Sequence, residues 1–498
     1  MTARPMSPRW GSSGAILSAG LLVLAACGTT PPVPSAGASA SSAAPSGAVA
    51  TTPFPLPSLD LGGRVSAAAV SRHLAALQAI AEEHDGIRAA GTDGYEASVE
   101  YVAGELQAIG FAVTTPQFEV PIFRELPGGS LAVMDGGPTF EAGDDIHAMI
   151  FSADGDLTAE VATVGFPDSE GGEGDQGCSP EEWEEFPSGR IALAPPGPCF
   201  RRDMVEHAQD AGAVALVVAN DNWETGEALR PTLLSPDGID IPAISAIGEV
   251  GDALSEAADE GTEVRIRVDT ETGDVGLRNV VAEHGSGEPV VMIGAHLDSV
   301  LDGPGINDNG SGSAAVLEIA HLLADAGHPG TLRVGFWAAE EFGLHGSRGY
   351  VTSLSPEEVS AITAYVNLDM LGSVNAVPMV YANSGAPAGS SAITDFLLAW
   401  LLAGGVAAEP EDLGTGSDHF FFTQAGIPIG GIFSGASEPK TAAQASSAGG
   451  VAGEPMDPCY HLPCDTVDNV DTEQVATYAQ AAAAAAMALL GGQLSTGQ

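Results

Sequence analysis

Over residues 277–491, continuous apolar runs alternate with helical stretches, and no feature of this 498-residue chain limits its fold more. Residues 290–293, 332–336, 364–368, 379–381 and 427–432 read as strands that are apolar without alternation, and residues 314–324 read as a helix. Strands apolar on both faces must be covered on both faces, the condition of a mostly parallel sheet flanked by helices. An α/β fold is therefore expected, and in such sheets ligands bind beyond the carboxyl ends of the strands.

The residues able to bind metal cluster where that rule points. The run 290–294 leads into Ala295-His296-Leu297-Asp298, the run 332–336 into Ala338-Ala339-Glu340-Glu341, and the run 364–368 ends in Asn367-Leu368-Asp369-Met370. Between the first two lies a Gly-rich loop, residues 305–313, with Asn307-Asp308-Asn309 at its centre. Such a loop before a helix could cradle phosphate, but the spacing is not that of a P-loop, no Lys follows, and Asp308 would repel an anion. A metal fits better. Catalytic zinc takes imidazole nitrogen and carboxylate oxygen and keeps a position open for water. Two such ions need a bridging carboxylate and about two further protein ligands each. His296, Asp308, Glu341, Asp369 and His461 meet that requirement.

With these residues in view, the chain resembles the co-catalytic dizinc aminopeptidases of the secreted bacterial leucine-aminopeptidase type, in the broad family of the glutamate carboxypeptidase and transferrin-receptor ectodomains. The matching stretches are GAHLDSV, GINDNGSGSAAVLEIA, FWAAEEFGLHGSRGYV, VNLDMLG, GSDHFFF and DPCYHLPCDTVDNVD, in order, with RAAGTDGYEASVEYVAGELQAIGF matching the N-terminal helices. The resemblance implies a zinc exopeptidase fold and two zinc ions per chain. It makes Asp308 the bridging ligand, assigns His296 and Asp369 to one zinc, and gives Glu341 and His461 to the other. It casts Glu340 as general base, Tyr460 as donor to the developing oxyanion, and Asp298 as acceptor of a hydrogen bond from His296. Substrates would be peptides or proteins with a free N-terminus, the amine being met by carboxylates beside the metals. Three other readings compete: a carboxypeptidase-type relative, a single-zinc glutaminyl cyclase, and a receptor-like domain without catalysis. Retention of the full ligand set and Glu340 disfavours the last.

Towards the N-terminus, Arg4, Arg9, the apolar residues 15–26 and Leu24-Ala25-Ala26-Cys27 read as an export signal over residues 1–27. Cys27 resembles the lipid-modified cysteine of the bacterial lipobox, which implies a surface lipoprotein anchored to the membrane only there. Residues 28–58 have the Thr, Pro, Ser, Ala and Gly content of a flexible tether. Residues 59–120 begin the main domain with two amphipathic helices, marked by Val70, His73, Leu74, Leu77 and Ile80 and then Tyr101, Val102, Leu106 and Ile109, closed by Gly110. Residues 121–276 carry short strand-like runs (190–193, 213–218, 241–244) between acidic, Gly-rich turns, and read as a β-rich insert. The run GRIALAPPGPCFRRDMVEHAQDAGAVALVVAN followed by IPAIS resembles the protease-associated domain.

A balance of 16 Lys+Arg against 66 Asp+Glu, a formal charge of -50, repels phosphate backbones and excludes nucleic acid as partner. Four cysteines besides Cys27 suit an oxidising compartment. Cys178 with Cys199 and Cys459 with Cys464 are the local pairings; the sequence leaves others open. A disulfide between the last two would hold Tyr460 and His461. Ser417-Asp418-His419 suggests a triad, yet adjacent residues do not converge on one point and no Gly-x-Ser-x-Gly elbow is present; it reads as wall near the metals. The remaining histidines, 73, 84, 147, 207, 284, 321, 328 and 345, lack ligand context. Residues 420–422, all Phe, could line an apolar substrate pocket or belong to the core.

Overall fold

The computed structural model describes residues 65–143, 145–166, 176–219 and 228–497. The export signal, Cys27 and the tether lie outside the described residues. The main sheet has eight strands in the order Ala112–Thr114, Val280–Gly285, Thr331–Trp337, Val290–His296, Ile362–Leu368, Ile429–Phe433, Met379–Tyr381 and Glu409–Glu411. Its central four strands are parallel to one another; the Val280–Gly285 and Met379–Tyr381 strands flank them antiparallel.

The two faces of the Val290–His296 strand explain its unbroken apolar run. Val291, Ile293 and Ala295 join one core, while Met292 joins a second with Trp337, Tyr365 and Phe422. The helices Ala67–Glu83, Gly312–Ala326 and Thr472–Leu490 cover the first face; His345–Ser353 and His419–Gln424 cover the other. Ala481 through Ala486 of the last helix are wholly buried, and their small side chains let neighbouring helices approach closely. Gly294 has a matching cause: a Cβ there would stand 2.6 Å from the Tyr365 hydroxyl and 2.8 Å from the Trp337 indole nitrogen.

Ser66 and Thr92 cap the two N-terminal helices by accepting from the backbone N–H of Ala69 and Tyr95. After the second helix the chain turns to strand. Ala112–Thr114 joins the sheet edge, and Gln117–Glu125 pairs antiparallel with Thr270–Arg278, from Gln117 opposite Arg278 to Glu125 opposite Thr270. This two-stranded ribbon carries the chain into the insert and back.

The insert has an eight-stranded sheet of its own, ordered Thr139–Glu141, Ser130–Val133, Glu263–Val268, Gly155–Thr163, Ile191–Ala194, Ala215–Ala219, Ala243–Ala246 and Ile146–Ala148. Four of these strands are consecutive and parallel, and the helices Arg201–Asp210 and Gly248–Glu260 pack beside them. Cys178 and Cys199 form a disulfide. The insert is fastened to the main domain through Arg230, which donates to Asp302 at 2.8 and 3.0 Å and to Glu125. Beside it, Phe151 packs edge-on between Phe123 and Phe342.

Candidate metal centre

Three central strands end at one level, with His296 opposite Trp337 and Gly294 opposite Asn367. The segments that follow them therefore bring His296, Glu340, Glu341 and Asp369 to the same edge. Asp308 arrives from the irregular turn Ile306–Ser311 that opens the helix Gly312–Ala326, and its peptide bond to Asn309 is cis. His461 comes from the far C-terminal side, held in a left-handed backbone conformation (φ 60°) inside the loop closed by the Cys459–Cys464 disulfide. Ala339 (φ 52°) and Met370 (φ 47°), next to Glu340 and Asp369, are left-handed as well. Such backbone is costly for non-glycine residues and concentrates at functional sites.

One carboxylate organises the group. Asp308 Oδ1 lies 3.1 Å from His296 Nε2, which is also 3.4 Å from Asp369 Oδ1. Asp308 Oδ2 lies 3.2 Å from His461 Nε2, itself 3.1 Å from Glu341 Oε2. Two imidazole–carboxylate pairs thus share Asp308 between them. Burial works against the charge of Asp308, but His296 and His461 outweigh it and hold the carboxyl below its ordinary range. Burial raises Glu341 to about 7 against the pull of His461, and raises Glu340 further, with Glu341 and Asp369 repelling it and His296 opposing.

This crowding of acids tests what the pocket could hold. Glu341 Oε1 and Asp369 Oδ1 are buried without any hydrogen-bond partner, a cost unless a cation meets them. Imidazole nitrogen with carboxylate oxygen is a donor set for zinc-type ions. The residues present fit such a group.

Supporting contacts fix the donors. Ser417 donates to Asp369 Oδ2 at 2.6 Å and accepts from Asn367 Nδ2 at 2.8 Å. Asp465 accepts from the backbone N–H of Asn307 and Asp308 at 2.8 and 3.0 Å. His296 Nδ1 lies 3.2 Å from the backbone carbonyl oxygen of Asp298 and 3.7 Å from its carboxylate. That carboxylate accepts instead from the N–H groups of Glu340 and Glu341, at 3.2 and 3.3 Å. Asp298 therefore ties the His296 strand to the Glu340-Glu341 turn. Arg88, wholly buried, donates to the carbonyls of Leu297, Pro304 and Gly305 at 2.5, 3.0 and 2.6 Å. Burial lowers its pKa to about 10, still charged at neutral pH. Sequence reasoning gave Arg88 and Asp465 no role, and its only clue to Asp465 was a further acid in the DPCYHLPCD stretch.

Seven of the eight residues expected at the site, namely His296, Asp308, Glu340, Glu341, Asp369, Tyr460 and His461, line one cavity of about 390 Å³; Asp298 lies behind it. Tyr460 stacks on the His461 ring at 3.8 Å. Met370, Tyr381, Leu413, Phe433 and Ala436 give the cavity apolar wall, and Glu411, Asp412 and Glu438 acidic wall. Phe420, Phe421 and Phe422 do not line it; Phe422 is core, stacked 3.7 Å from Tyr365. Ser417 and His419 point apart, His419 Nε2 lying 3.2 Å from the Gly414 carbonyl oxygen. The histidines read as lacking ligand context do not all stand alone: His284 meets His328 at 3.0 Å, and His73 lies close to His321.

Residues 279–486 match the model of peptidase family M28, and residues 157–254 that of the PA domain. A probable lipoprotein aminopeptidase of Mycobacterium tuberculosis is 40% identical over 426 residues, covering 82% of this chain and 82% of the relative. This chain belongs to peptidase family M28. Solved M28-like structures agree in fold. An aminopeptidase from Aneurinibacillus sp. strain AM-1 superposes with a TM-score of 0.67 at 25% identity, covering 86% of this chain and 94% of that one. A zinc aminopeptidase from Bacillus subtilis gives 0.65 at 25%, covering 84% and 94%.

Proposed function

We propose that this M28 protein is an aminopeptidase that holds two zinc ions, one between His296, Asp308 and Asp369 and one between Asp308, Glu341 and His461. The observation that carries the reading is the position of Asp308, whose two oxygens each face a separate imidazole–carboxylate pair. Bound there, the ions would polarise the scissile carbonyl and lower the pKa of the attacking water. Glu340 takes the water's proton and returns it to the leaving amine, a role its placement in the cavity supports. Tyr460 donates to the oxyanion as charge develops on the carbonyl oxygen. Asp298 keeps His296 and the Glu340-Glu341 turn in register. The cavity's acids favour the cationic N-terminal amine, and its apolar wall favours apolar N-terminal side chains.

The lipobox-like Cys27 and the lipoprotein relative support a cell-surface location by lipid anchoring. The test of function is hydrolysis of leucine p-nitroanilide by the protein lacking residues 1–27, beside its N-acetylated analogue, with chelator and zinc add-back. Chelator-sensitive cleavage of the free-amine substrate alone is expected; cleavage of the acetylated one would move the reading to another exopeptidase.

A further inference from the structure

Away from the M28 centre, three helices bring a second set of imidazoles and carboxylates together. His73 comes from Ala67–Glu83, Glu105 from Asp93–Ala108, and Glu318 and His321 from Gly312–Ala326. Glu318 and His321 are three residues apart and so share a helix face. The candidate ligand atoms of His73, Glu105 and His321 all lie within 4.8 Å of one another. His73 is fully buried, with Nε2 at 2.9 Å from Glu318 Oε1 and Nδ1 at 2.6 Å from the Tyr101 hydroxyl. With Nδ1–H donating to Tyr101, the Nε2 lone pair accepts from Arg72 Nη2 at 3.0 Å, so the guanidinium holds the place beside Nε2 and Glu318 that a metal ion would take. His321 Nε2 is buried and has no hydrogen-bond partner; Glu105 Oε2 stands 3.6 Å away. Zinc bonds of about 2.0–2.2 Å set tetrahedral ligand-to-ligand edges near 3.4 Å, so that gap fits an ion better than a hydrogen bond.

One side chain stands over the opening. Arg72 donates to Glu105 at 2.8 Å and to Glu318 at 3.2 Å, and its own side chain is half exposed. The Arg72 end of both pairs is half exposed while Glu318 is buried, so the guanidinium can swing outward into water and leave the carboxylates to an ion. We propose that this three-helix junction is a site for a divalent transition-metal ion of zinc type, held by His73, Glu105, Glu318 and His321, with Arg72 as the displaceable cation that neutralises the carboxylates in its absence. Two imidazoles disfavour calcium and magnesium, which take oxygen ligands. An ion here would join the two N-terminal helices to the helix that grows from the Asp308 turn, without touching the substrate cavity.

The test is zinc titration at neutral pH of the full metal-loaded protein lacking residues 1–27, followed by metal analysis and thermal melting. Wild type should bind one more zinc per chain than His321→Gln, with a rise in Tm that the variant does not show. His321 is partly exposed, and retained peptidase activity in the variant would show that it folds. Arg72→Gln should bind the additional zinc more tightly than wild type. Equal zinc content in wild type and His321→Gln, or unchanged affinity in Arg72→Gln, would overturn the proposal.

Discussion

The main sheet and the insert sheet share a plan and differ in what stands at their edges. Each has eight strands, four of them parallel and consecutive, with helices alongside. In the main sheet the carboxyl ends lead into His296, the Glu340-Glu341 pair and Asp369. In the insert, Ile191–Ala194 leads into Pro195-Pro196-Gly197-Pro198, and Ala243–Ala246 leads directly into a helix. The same backbone architecture thus gathers a donor set at one edge, while among the described residues no such group gathers in the insert, because function resides in side chains grafted at the edge and not in the sheet itself.

Four substitutions probe that contrast, the first two through activity and the last two through stability, the larger effect first in each pair. Asp308→Ala removes the carboxylate common to both donor sets; hydrolysis should fall to background, and metal analysis should show the centre empty of zinc. Normal zinc content would break the shared-ligand reading. Glu340→Gln should retain zinc and lose roughly 10²-fold or more in kcat, the scale of a general base; unchanged turnover would remove Glu340 from the reaction. Leu216→Ala, in the fully buried insert strand Ala215–Ala219, should cost about 2–5 kcal/mol in denaturant unfolding, with kcat of the folded enzyme unaltered. A large drop in kcat would show the insert to be part of the catalytic apparatus.

Arg230→Met tests the fastening between the two regions. Glu125 and Asp302 are partly buried, which raises their pKa values, but His147 and Arg230 outweigh this at Glu125, and Arg230 does so at Asp302, so both stay below the ordinary range. A carboxyl depressed by folding stabilises above its unfolded pKa, about 4, and that stability is lost as pH falls through the lower folded value. Wild type should therefore exceed Arg230→Met by about 2 kcal/mol at pH 7, and the gap should shrink steadily below about pH 4. A gap independent of pH would mean that Arg230 acts by packing.

Five of the main sheet's eight strands were legible in sequence as short apolar runs, and at three of them a candidate metal ligand stands at or just past the end, so pattern and chemistry marked the same positions; Ala112–Thr114, Val280–Gly285 and Glu409–Glu411 carry no such run and were missed. Asp308 was legible because an acid at the heart of a Gly-rich turn is wrong for phosphate. What escaped notice depends on contacts far apart in the chain. The Gln117–Glu125 and Thr270–Arg278 ribbon pairs segments about 150 residues apart, and although Phe118, Val120 and Ile122 alternate with polar residues or Pro, nothing local names the partner strand. Arg88 looked like a polar loop residue, yet three carbonyls from residues 297–305 surround it. His73 and His321 lie on helices distant in sequence, so only the packing of those helices brings them together.

The route by which His461 reaches the centre also bears on when the molecule becomes able to act. Its ring meets Asp308 and Glu341 from 153 and 120 positions further along the chain, while Val467, just beyond it, donates to Gln78 near the start of the described region. During synthesis, which proceeds from the N-terminus, every earlier stretch emerges while this last donor is still missing. On the two-ion reading proposed above, a nascent polypeptide would carry only part of its donor set until the segment around His461 has docked.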